Sequence, residues 1–160
     1  MFPAVLHADA DPKEVQKVLD QPDFASFDRQ MEGEPAFFPP AIHAGGHFGI
    51  GGLLGQAGDA ANSPGGESNL LFQSVPEYLL TIPEPLFYMH HTMIDYVYWK
   101  WQQIDPEVRL HQTGGPVVPY DYTGTNVTLD FEINLGAIAP SITLRDTLDT
   151  QGGLFCYTYE

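Results

Sequence analysis

The chain is 160 residues long, the usual size of one domain, and is 43% hydrophobic with 17% charged residues. That is enough apolar side chain for a core and excludes a disordered chain. Six Lys and Arg against 21 Asp and Glu leave a net charge of −15, a field that repels phosphate backbones and anionic bilayers and so excludes nucleic acid and membranes as partners.

Residues 1–40 read as a helical lead-in. Asp11-Pro12 supplies an N-cap and a first-turn proline, Glu14 follows, and Val15, Val18 and Leu19 share one face. A second short helix is expected from Phe24 to Met31. It stops at Gly33, and Pro35, Pro39 and Pro40 forbid regular helix beyond it.

Residues 41–105 carry the histidines on two helical patterns, separated by a loop from about Gly55 to Pro85. Ser63-Pro64-Gly65-Gly66 and Pro83-Glu84-Pro85 make that loop too rich in breakers for helix or central strand. The second pattern, Leu86 to Ile104, contains neither Gly nor Pro. Phe87, His91, Ile94, Tyr98 and Trp101 recur there at three- and four-residue steps, one face of a helix.

The last stretch, 114–160, changes period. Val127, Leu129, Phe131, Ile133 and Leu135 alternate with Thr128, Asp130, Glu132 and Asn134, which predicts a strand. Shorter strands are expected at 142–144 and 154–159. The whole reads as a single domain, mainly α, with a small C-terminal β layer.

Cys156 is the single cysteine, so no internal disulfide is available. No run approaches the roughly 18 apolar residues of a membrane span. The opening Met1 to Asp9 lacks a basic segment and a long apolar one, so an intracellular protein is the default expectation. Asn126-Val127-Thr128 is a glycosylation sequon, a triplet that often arises by chance.

His43 and His47 are spaced i, i+4, which places both imidazoles on one helix face where they can share a metal ion. Glycines 45, 46, 49, 51 and 52 weigh against a long helix there. Two imidazoles leave a coordination sphere incomplete, and His90-His91 offers a third. Helix neighbours diverge by about 100°, so only one of that pair can join. His91 is preferred, because Asp95 lies one turn later, where a carboxylate can orient the imidazole, and Phe87 one turn earlier. A nitrogen-only set of His43, His47 and His91 suits copper or zinc. His7 and His111 sit in polar, loop-like surroundings and read as solvated.

The run Glu84-Pro85-Leu86-Phe87-Tyr88-Met89-His90-His91-Thr92-Met93-Ile94-Asp95, continuing to Trp99-Lys100-Trp101-Gln102, resembles the end of the second copper-binding half of tyrosinases and catechol oxidases. His43-Ala44-Gly45-Gly46-His47 with Gly51-Gly52 is similar to the segment preceding it, and Cys156-Tyr157-Thr158-Tyr159-Glu160 resembles the tyrosine motif closing the fungal catalytic domain. The resemblance implies part of a type-3 copper helical bundle, in which each of two coppers is held by three histidines. The pair binds dioxygen and converts small phenols or catechols to o-quinones, the chemistry of pigment formation.

Carried over by motif, His43, His47 and His91 are the second copper's ligands, and His90 neighbours the site. Phe87 is the aromatic wall. Glu32, in Phe27-Asp28-Arg29-Gln30-Met31-Glu32-Gly33, matches an acid acting as base or water anchor. Ala44 stands where related chains often carry Asn, a change that tilts the resemblance towards catechol oxidation. Only His7 lies upstream of His43, so the first copper site is expected to be absent from this chain. Three functions fit these residues: an oxidoreductase half needing a second chain for its first copper, a mononuclear metal-binding module, or an inactive fragment with exposed helix faces.

Overall fold

The computed structural model describes residues 11–33, 41–43, 45–46, 85–118, 121 and 123–160. The first helix, α1, is Pro12–Leu19. The Asp11 carboxylate accepts from the Lys13 backbone N–H at 2.9 Å and so caps it, with Pro12 preset in the first turn. Val18 on the expected face is buried. Lys17 reaches back to Glu14 at 2.7 Å, an exposed pair that contributes only about 0.2–0.5 kcal/mol.

Helix α2 is Phe24–Glu32. The Asp23 carboxylate accepts from the Ser26 N–H at 2.8 Å at its start. At its end Gly33 takes φ 78°, a left-handed conformation that glycine adopts without strain, and its N–H donates to Arg29 O at 2.9 Å. Helix α3 is Pro85–Ile104, 20 residues without an internal break. A short helix α4, Pro106–Arg109, follows it.

Two compact units divide these elements: residues 1–20 with 28–98, and residues 21–27 with 99–160. The second unit is organised on Trp101, which is fully buried. The Phe27 ring lies 4.9 Å from it and Phe24 packs edge-on at 6.5 Å. The Arg109 guanidinium covers it at 4.3 Å, where a desolvated cation–π contact is strongest. The indole N–H donates to Gln21 O at 2.8 Å, and Arg109 donates to Trp101 O at 2.8 Å. Gln102, also buried, donates to Leu148 O at 3.0 Å and so ties α3 to the C-terminal stretch.

The β layer is smaller than the sequence pattern suggests. Strand β1, Glu132–Ile133, pairs antiparallel with β2, Ile142–Thr143, in the register Glu132 to Thr143 and Ile133 to Ile142. The strand expected over 127–135 is broken by a turn in which Phe131 N donates to Thr128 O at 3.0 Å. Alternation survives in burial, with Val127, Leu129, Ile133 and Leu135 partly buried, but Phe131 is exposed. The turn uses the backbone groups that a continuous ladder would need.

Residues 154–159 form no strand either. Gly153 turns the chain at φ 58°, and Tyr157 N donates to Thr150 O at 3.0 Å as a single bond. Aromatic contacts accompany that segment instead: Tyr159 lies 5.7 Å from Trp99 and 5.7 Å from Tyr157. The described residues are mainly helical with a small two-stranded β layer, as expected of a partial helical bundle. Among them, no helix is long and apolar enough to cross a membrane. The expected loop from about Gly55 to Pro85 lies outside the described residues up to residue 84, as does His7, and Pro85 opens α3. His111 is exposed, as its surroundings suggest.

Emptying the Trp101 site is expected to cost more than any surface charge pair. Trp101→Ala should lower the unfolding free energy by about 3–5 kcal/mol, read from urea denaturation. Trp101→Phe keeps the ring packing and loses the bond to Gln21, so its cost should be clearly smaller.

Candidate metal centre

The histidines meet within the first unit. An unbroken α3 carries His90 and His91 on consecutive positions, and both rings come close to His43. Residues 42–43 and 45–46 are helical, with Gly45 N donating to Ala41 O at 2.8 Å, and present His43. Glu32 is the last residue of α2.

Three imidazoles and one carboxylate converge there. The His43 ring lies 5.1 Å from His91, edge to face, and 5.6 Å from His90, stacked; His90 and His91 are 5.4 Å apart. His43 Nδ1 and Glu32 Oε2 are 2.7 Å apart, with side-chain exposures of only 17% and 31%. The Nε2 of His90 lies 2.9 Å from the His43 carbonyl and donates to it.

Gly46 explains how His90 comes so close. A Cβ on residue 46 would fall inside the His90 imidazole, so the ring occupies the space that any other residue would fill. The glycines that weigh against a long helix in the sequence thus include one that admits a side chain from α3. Spacing alone does not reveal this use. The signal available was a glycine one helical turn from His43, on the face that receives α3.

Burial pushes the His90 imidazole below its ordinary value of 6.5. Its bond to the His43 carbonyl opposes this, and the neighbouring His43 charge adds to it. His91 is pushed down from 6.5 by burial first, then by His43 and His90. Glu32 pulls both back, as the weakest influence on each. The balance favours neutral imidazoles, the form that has a nitrogen lone pair to give to a metal.

The structure therefore brings together His43, His91, His90 and Glu32. His47 and the Phe87 side chain lie outside the described residues, while Asp95 is partly buried on α3 one turn beyond His91. Among the described residues, no group of three or more His, Cys, Asp or Glu is arranged to hold a metal ion. The donors that are present nonetheless fit copper. They are imidazoles, which copper favours, and burial favours the neutral form of His90 and His91.

Lowered imidazole pKa values carry a sign. Between the folded value and 6.5 the unfolded chain binds more protons, so stability is lost as pH falls through that window. Urea midpoints of the metal-free chain should fall more from about pH 7.5 to about pH 5 than those of a His90→Gln/His91→Gln variant. Equal slopes would contradict the burial of these rings.

Residues 3–104 match the family described as the common central domain of tyrosinase. The chain is 29% identical over 160 residues to a tyrosinase-like protein of Diaporthe leptostromiformis, covering 98% of this chain and 34% of that one. A tyrosinase of Aspergillus flavus is 43% identical over 76 residues, 48% of this chain and 21% of that one. Among solved structures, a polyphenol oxidase variant from Thermothelomyces thermophila aligns with a TM-score of 0.66 at 28% identity, over 94% of this chain and 38% of that one. The chain spans about a third of the length of the curated relatives it matches over most of its own. With the matched region covering well over half of its residues, the chain belongs to the tyrosinase family, whose cofactor is type-3 copper.

Proposed function

We propose that this chain is the second-copper half of a tyrosinase-like oxidoreductase, with His43, His47 and His91 as the ligands of one copper ion. The observation that carries the reading is the approach of His43, from one helical segment, to His91 on α3 at 5.1 Å. Two imidazoles from separate segments converge there, and His47 follows His43 by four residues in sequence. His90 has its Nε2 committed to the His43 carbonyl, which suits a supporting role better than that of ligand.

Copper paired in this family supplies the transfer of electrons from phenols or catechols to dioxygen, giving o-quinones. The chain's own residues would do the rest. Phe87, one turn before His91, would wall the substrate side, and Ala44 offers no polar side chain beside His43, which favours a catechol over a monophenol. Completing a copper pair calls for three further imidazoles, and a second chain or further sequence would supply them. An uncharged catechol is indifferent to the acidic surface.

A second reading is a mononuclear metal-binding module without oxidase activity. What favours it is the histidine inventory: upstream of His43 this sequence offers only His7. The two readings share a ligand set and differ in whether the loaded chain, given its missing partner, produces quinone.

The ligand set is tested by competition for copper against a chromogenic chelator. His91→Ala should abolish binding, whereas His90→Ala should weaken it by roughly 10–100-fold, the usual cost of a supporting group. Equal losses from the two, or none from His91→Ala, would overturn the assignment.

A further inference from the structure

We infer that Glu32 is a positioning residue for His43: its carboxylate fixes the hydrogen of His43 on Nδ1 and so presents Nε2 as the metal-binding nitrogen. The inference rests on the copper reading above for its consequence, but the contact itself needs no metal. The family resemblance casts Glu32 as a base or water anchor near substrate. Its Oε2 instead lies 2.7 Å from His43 Nδ1, in surroundings where both side chains are largely shielded from water.

A carboxylate has no hydrogen to give, so at this distance Nδ1 must be the donor. In a neutral imidazole the lone pair then lies on Nε2. The same ring is restrained from two other directions. His90 stacks on it at 5.6 Å and donates to its carbonyl at 2.9 Å, and Gly46 leaves the room that His90 needs. His90 thus meets both the ring and the backbone of His43, while the Glu32 carboxylate meets Nδ1 and so sets which nitrogen faces the metal. Carboxylate–histidine–metal arrangements of this kind orient the ligand and raise its basicity.

The test uses the metal-free chain and two variants, read by long-range proton–nitrogen NMR of the imidazoles above about pH 8, where an ordinary imidazole is neutral. Wild type should show His43 as the Nδ1–H form. Glu32→Ala should shift it towards the Nε2–H form and weaken copper binding by roughly 10–100-fold. Glu32→Gln, whose amide oxygen can accept the same hydrogen, should keep the Nδ1–H form and most of the affinity. If both variants retain the wild-type tautomer and affinity, the inference is overturned and a role towards substrate is favoured. If wild type binds no copper while Glu32→Ala still moves the hydrogen, the lock on His43 stands and the copper reading fails.

Discussion

The proposed site is organised on one contact, the approach of Glu32 Oε2 to His43 Nδ1 at 2.7 Å beside His90 and His91. It joins the end of α2 to the helical residues that carry His43, and α3 holds those residues from the other side through His90. Two neighbouring segments and a third, 47 residues beyond His43, are thereby brought together. The geometry is selective because imidazole offers two nitrogens and only one can be left for a metal. A shielded carboxylate makes that choice before any metal arrives.

The largest packing contribution among the described residues is made by Trp101 and its neighbours. In the second unit, buried Trp101, with Phe24, Phe27 and Arg109 around it, sets several kcal/mol of packing against the few tenths available from exposed pairs such as Glu14–Lys17. The histidine cluster works against folding to a degree, since burial disfavours its protonated forms. A metal would reverse that cost, because the neutral imidazoles that burial favours are the ones a metal binds. Site and fold are thus coupled through the same desolvation.

Local patterns were legible in the sequence wherever one segment decides its own structure. Asp11-Pro12 marks a capped helix start, Gly33 a helix stop, and a run from Leu86 to Ile104 without Gly or Pro a long helix; each is found. The pairing of His43 with a histidine of that helix was also readable, because metal chemistry limits which residues can meet. What could not be read were contacts chosen by tertiary fit. Alternation from Val127 to Leu135 predicts a strand, but a turn from Thr128 to Phe131 takes its backbone bonds, leaving only Glu132–Ile133 in the ladder. Gly46 looks like a helix breaker until the His90 ring is seen in its place. Glu32 reads in the sequence as an acid near substrate, and nothing in its spacing shows that its carboxylate meets His43.

The most direct measurement of the central claim is native mass spectrometry of the purified, copper-loaded chain, which counts metal ions and subunits together. One copper per chain is the expected result, since the proposed ligands, His43, His47 and His91, make one set of three. No bound copper would contradict the account, leaving a family signature without its metal. Two per chain would contradict it as well, by requiring a second set of ligands from residues to which no such role is given.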